Sequence, residues 1–198
     1  MKHSIEGISE EIKTELVRKS IHLMIAVAPS LAAIDRSFTM FLLSGGVLLY
    51  TYLENLRREG VSIPLISTIT LRASRKRDEG RFVMGPITLG LGALLALLLY
   101  PSPASSVAIY SLAFGDGFAS LVGKLAGRYR PTWLMGKSLE GSLACFVAVL
   151  LVSYRITQRL ALSVVVALVT TIIEALPLED FDNILIPVAA GFTVMVLL

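Results

Sequence analysis

Seven apolar blocks divide this chain of 198 residues, at roughly 20–34, 38–53, 83–100, 104–122, 139–153, 161–176 and 183–198. Each approaches the about 17–25 residues that a helix needs to cross hydrocarbon. The shorter ones are accommodated by snorkelling flanks or a locally thinned bilayer. A helix on the surface of a soluble domain keeps a polar face, and most of these blocks have none. Charged residues make up 17% of the chain, against about 25% in a soluble domain, and the mean hydropathy is +0.74. The sequence predicts an all-α integral membrane protein with about seven transmembrane helices, forming one domain over residues 1–198. Ahead of the first block, Ile5, Ile8, Ile12 and Leu16 recur at helical spacing among Glu6, Glu10, Glu11 and Lys13. That pattern predicts an amphipathic interfacial helix over 1–19, followed by the transmembrane bundle over 20–198.

Charge fixes an orientation. With seven spans, fifteen of the eighteen Lys and Arg fall on the side of the N-terminus, and Arg36, Arg155 and Arg159 fall on the other. The positive-inside rule makes the first side cytoplasmic and places Leu198 outside. Of the acids, only Asp35 lies on the outer side, which points to a cytoplasmic chemical site. The net charge of +3 is modest, but a basic cytoplasmic face suits lipid headgroups or a polyphosphate. The basic segments, "RASRKR" included, are short and juxtamembrane, which speaks against nucleic acid. Cys145 is the sole cysteine, so no disulfide framework is available. Four glutamates among the first twenty residues argue against a signal peptide.

Polar residues inside such blocks are expensive and usually functional. In "AFGDGFASLVGKLAGR" the spacing is D-x-x-A-x-x-x-G-x-x-x-G, from Asp116 through Ala119 and Gly123 to Gly127. Glycines four apart explain close helix packing, but they do not explain Asp116. Lys124, Arg128 and Arg130 follow it. An acid able to hold a divalent cation, beside cations able to hold phosphates, is equipment for a nucleotide. Next comes "MGKSLEGSL". Gly136-Lys137-Ser138 resembles the tail of a phosphate-binding loop, but Pro131 stands where that loop needs a glycine. Ser138 is placed to cap a helix whose positive end attracts anions, and Glu140 lies in its first turn. Glu174 sits inside the sixth block, and Glu179, Asp180, Asp182 and Asn183 crowd the turn after it. Near the N-terminus, Glu15, Arg18, Lys19 and His22 share one helical face. Glu54 and Arg57, three apart, close the second block.

Three stretches in this order, "GDGFASLVGKLAGR", "GKSLEGS" and "EALPLEDFDNILIP", resemble the dolichol kinase family, which groups polyprenol, phytol and CTP-dependent diacylglycerol kinases and is related to phosphatidate cytidylyltransferases. The resemblance runs from "ELVRKSIHL" to "DNILIPVAAG". It implies a membrane-embedded kinase domain that moves the γ-phosphate of CTP to a lipid alcohol with Mg²⁺ or another divalent cation. The alcohol is a polyprenol or diacylglycerol. The resemblance also associates Asp116, Ala119, Gly123 and Gly127 with CTP binding. On this reading Asp116, Lys137, Glu140 and Glu174 are catalytic candidates. Lys124, Arg128, Lys137 and Ser138 join the nucleotide site, and Asp116, Glu140 and Asp182 are metal candidates. Glu15, Arg18, Lys19, His22, Glu54, Arg57 and Asn183 lie on the lipid-substrate side. The chain is shorter than eukaryotic dolichol kinases, which favours a compact form in a prokaryotic plasma membrane. A dimer is compatible with the sequence and not required by it. Two alternatives stay open: a cytidylyltransferase making a CDP-lipid, and a non-enzymatic carrier. A carrier predicts polar residues through the membrane midplane on several helices, whereas here they gather on one side.

Overall fold

The computed structural model describes residues 2–61, 80–134 and 136–198, and every regular element among them is helical. The basic cluster "RASRKR" and the apolar half of the loop before it lie outside the described residues, as do the side chains of Ile5 and Ile8. Helix α1, Lys2–Met24, continues through a 3₁₀ turn, Ile25–Val27, into α2, Ala28–Ile34, with Pro29 in its first turn. The helix is continuous past residue 19, so α1 runs on into the bundle. Asp35 ends α2 in an extended conformation, and its Oδ1 accepts from Phe38 N at 2.9 Å, capping α3, Arg36–Arg58.

Helix α4, Gly85–Leu99, opens with Pro86 in its first turn, where the missing N–H costs nothing. A rod then runs from α5, Ala104–Tyr110, through a π-turn, Ser111–Asp116, into α6, Gly117–Leu125. Helices α7, Leu139–Thr157, α8, Leu160–Ala175, and α9, Asp182–Leu197, complete the described bundle. Among the described residues, three stretches are by length and composition sufficient to cross a bilayer: Ile12–Ile34, Ala104–Leu125 and Leu139–Thr157. The α4, α8 and α9 helices are apolar but shorter.

The rod is the axis of the fold. Val107, Ala108, Ile109, Leu112 and Ala113 have no exposed surface. Around it, large apolar side chains point outward, among them Phe38, Phe41 and Leu48 on α3, Leu143 and Leu151 on α7, and Phe192 and Val196 on α9. Such a continuous apolar exterior suits hydrocarbon and not water. The α4–α9 seam shows how backbone chemistry sets the approach of two helices. Pro187 has no N–H to give the Asn183 carbonyl one turn earlier. Gly92 is seated against that freed carbonyl, at a distance no side chain allows. The Asn183 amide donates across the seam to Thr88 Oγ1 at 3.0 Å.

The two ends of the bundle differ. At one end, Arg36 donates to the carbonyls of Leu97 and Tyr100, and Arg159 donates to the carbonyl of Leu198. These cations satisfy chain carbonyls left over where α4 and α9 end. Asp35 and Arg155 lie at this end as well, and most of the other described acids and cations collect at the opposite end.

Candidate active site

The site begins with the π-turn. One extra residue per turn changes which way every later side chain points, and such turns recur at functional sites. Gly115 lets the turn sit against α7 and α8, since a Cβ there would meet Val149 Cγ2 at 3.0 Å and Thr170 Cγ2 at 3.2 Å. Asp116, the last residue of the turn, is 6% exposed. Lys19 Nζ, 2% exposed, donates to its Oδ2, and His22 Nε2 lies 3.3 Å from the same oxygen. His22 Nε2 also stands 3.0 Å from the carbonyl oxygen of Leu112, inside the π-turn. A buried ion pair is costly to assemble, and removing either partner strands the other. Such a pair needs a reason beyond stability.

Towards the exterior, Lys124 Nζ lies 3.0 Å from Glu15 Oε2, and Arg18 donates to the other oxygen of Glu15. Helix α1 therefore faces the π-turn and α6 through three charged side chains, Glu15, Arg18 and Lys19, and the His22 imidazole. From α7 and α8, Lys137 Nζ donates to Glu174 Oε1 at 2.9 Å. Glu174 and Asp182 each lie within Coulombic reach of Asp116, Lys19 and Lys137, so the charges form one connected cluster.

Beside the cluster opens a cleft of about 310 Å³, lined by Glu15, Ala119, Ser120, Gly123, Lys124, Arg130, Gly136, Lys137, Ser138, Gly141, Ser142 and Glu174. Its floor is the start of α7. Ser138 is extended, and its Oγ accepts from Gly141 N at 3.1 Å, the expected cap. Gly136 holds φ +92°, a left-handed conformation that favours glycine. Gly123, Gly127 and Gly141 all crowd the Ser138 hydroxyl, so the spaced glycines build the seat of this cap. Among the described residues, Glu174 Oε2, on a residue 4% exposed, and the Ser142 hydroxyl, on a residue 8% exposed, find no hydrogen-bond partner at the cleft. Buried oxygens of this kind are rare without a ligand, ion or water to meet them.

A probable chloroplastic phytol kinase of Triticum aestivum is 30% identical to this chain over 143 residues, 63% of the chain and 46% of the relative. Dolichol kinase of Saccharomyces cerevisiae is 33% identical over 137 residues, 66% of the chain and 25% of the relative. The resemblance is to the polyprenol kinase family. An uncharacterised protein of Methanocaldococcus jannaschii is 26% identical over 188 residues, 91% of the chain and 92% of the relative. The chain spans about half the length of the plant relatives it matches. No family model matches it, and no solved structure does.

Within this polyprenol-kinase-like chain, some expected site residues stand elsewhere. Glu140 accepts from the backbone N–H groups of Arg128 and Tyr129 at 3.0 and 3.1 Å. It thus ties the 126–131 loop to α7, and the Arg128 side chain is exposed beside it. Its oxygens are occupied by the loop, which explains an acid in that first turn without a metal. Glu54 grips Arg57 Nε and Nη2, both at 2.7 Å, and receives Val83 N at 2.9 Å. That clasp anchors the start of α4 to α3. Asn183 belongs to the α4–α9 seam. Among the described residues no group of three or more His, Cys, Asp or Glu is arranged to hold a metal. Asp116, Glu140 and Asp182 are therefore not a ready-made metal cage. Arg130 was legible only as part of a basic cluster. It donates to the carbonyls of Gly123 and Gly136 at 2.7 and 2.6 Å, clamping the two sides of the cleft. Carbonyl targets leave no mark on a sequence pattern.

Proposed function

We propose that the chain is a lipid alcohol kinase that transfers the γ-phosphate of CTP to a polyprenol-type alcohol or to diacylglycerol. The observation that carries this reading is the cleft: Lys124, Arg130 and Lys137 surround the capped start of α7, and an unpartnered carboxylate oxygen sits at its edge. In this reading the seven spans are embedded in a prokaryotic plasma membrane with the cleft cytoplasmic. The segregation of charge to one end of the bundle supports that orientation.

The donor set fits Mg²⁺ in one specific way. Mg²⁺ is commonly held by one or two carboxylates, completed by waters and substrate phosphates. Glu174, with its free Oε2 at the cleft, is the carboxylate that would hold it here. When bound, the ion neutralises charge on the transferring phosphoryl group. Lys124 and Lys137 hold phosphate oxygens, and the α7 N-terminus adds its dipole. Lys137 exchanges its contact with Glu174 for a phosphate when the nucleotide enters. The lipid hydroxyl arrives from the bilayer side, where Asp116, held by Lys19, accepts its proton. The lipid oxygen forms a bond to the γ-phosphorus, the β–γ bridging bond breaks, and CDP leaves. Such transfers depend mostly on positioning and charge neutralisation, which a cleft of fixed cations supplies.

The test is incubation of the purified protein with γ-labelled CTP or ATP and a panel of phytol, a longer polyprenol and diacylglycerol. Label in the lipid with CDP released is the expected result. Label released as pyrophosphate with a CDP-lipid formed, or no transfer to any alcohol, overturns the reading.

A further inference from the structure

Asp116 is held by two side chains of α1, and they do different things. Lys19 contributes charge. His22 contacts the backbone: its Nε2 is 3.0 Å from the Leu112 carbonyl oxygen and 3.3 Å from Asp116 Oδ2. Both acceptors belong to the same π-turn, Ser111–Asp116. A π-turn gives up the regular i to i−4 ladder, so its carbonyls are candidates for outside donors. The imidazole is 6% exposed, and Leu112 has no exposed surface, so water does not compete for this contact. Gly117, directly after the turn, packs against Leu23, the neighbour of His22, where a Cβ would stand 3.1 Å from Leu23 Cδ2. The α1 helix therefore meets the π-turn near its start, at Leu112, at its last residue, Asp116, and just beyond it at Gly117.

We infer that His22 is a positioning residue: by donating to the Leu112 carbonyl it fixes the π-turn, and through the turn it sets the direction of the Asp116 carboxylate. The inference rests on the proposed kinase reading for what that direction is used for. The hydrogen bond to a carbonyl requires a donor at Nε2, which fixes the ring tautomer. A donor that cannot reach Leu112 leaves the turn free to relax to an ordinary helix. That relaxation rotates Asp116 away from Lys19 by about 100°, the angle of one residue in a helix of 3.6 residues per turn.

The experiment compares three variants of the full chain. In Gln the amide nitrogen stands where His Nε2 stands, in Asn it falls short at the position of Nδ1, and Leu has no donor. The expected result is that His22→Leu and His22→Asn lower kcat at least tenfold with KM for CTP unchanged, while His22→Gln restores most of the rate. A second readout does not need activity. With ¹³C-aspartate labelling, infrared difference spectra give the carboxylate band that Asp116→Asn removes. That band should shift in His22→Asn and return in His22→Gln. If His22→Leu does not fold, the Asn and Gln pair decides. An unmoved band and unchanged kcat in His22→Asn, or equal losses in Asn and Gln, overturn the inference. A parent enzyme that phosphorylates no alcohol, but whose band shifts as expected, sinks the kinase reading and leaves the positioning role standing.

Discussion

Replacing Gly127 with alanine tests whether the spaced glycines are a seat for the helix cap or a generic packing stripe. A Cβ at Gly127 would overlap the carbonyl oxygen of Gly123 and lie 2.5 Å from Ser138 Oγ and 2.7 Å from Ser138 Cβ. Non-bonded heavy atoms rest at about 3.5–4.0 Å, and Gly123 O is backbone with no rotamer to yield. Forcing an extra methyl group into a packed site costs about 1–3 kcal/mol. Displacing Ser138 from Gly141 N adds the loss of a cap, about 1 kcal/mol. The sum is about 2–4 kcal/mol. Gly45→Ala in α3 is the control: nothing lies within 4 Å of its added Cβ, so removing a helical glycine should be neutral or stabilise by about 0.5–1 kcal/mol. Thermal unfolding in detergent, followed by far-UV circular dichroism, measures both. A double-mutant cycle with Ser138→Gly then removes two of the three contacts. Coupling of about 0.5–3 kcal/mol is expected. If Gly127→Ala melts with Gly45→Ala, or its cost is the same with and without the Ser138 side chain, the seat does not exist as described.

Three other outcomes follow from the charge cluster and the topology. Asp116→Asn keeps size and removes the proton acceptor, so steady-state turnover should fall at least about a hundredfold, or about 2.7 kcal/mol in the barrier, and near-normal turnover would return Asp116 to a packing role. Lys137→Met strands the buried Glu174 carboxylate, so the nucleotide-free protein should melt lower and show a smaller thermal shift with CTP; adding Glu174→Gln should recover the melting temperature but not the shift. In a Cys145→Ala background, membrane-impermeant labelling of Ser74→Cys and Ser102→Cys should occur from opposite faces of the bilayer, and labelling from the same face would refute the seven-span topology.

Much of this was legible in the chain. Apolar blocks mark the helices and Ser138 the start of one, because helix formation and capping depend on residues within a turn or two of each other. The three motifs that build the cleft stand out for a related reason: glycines, cations and acids are conspicuous inside apolar sequence. Which charges meet was not legible. Lys19 reaches Asp116 across 97 positions, and Lys137 reaches Glu174 across 37. That Lys19 and His22 share a buried partner was not legible either, because the acid that meets them lies about a hundred positions away in the chain. Glu140 stood out as a catalytic candidate and Glu54 as a substrate-side one for the converse reason, since the backbone N–H groups they accept from are common to every residue and identify none. Sequence by itself determined the helices, their apolar exteriors and the list of expensive polar groups, all consequences of local periodicity and transfer free energy. Only the tertiary structure decided the pairing of those groups. Pairing depends on how closely helices approach and how each is rotated about its axis, and here a π-turn and a few glycine seats set both.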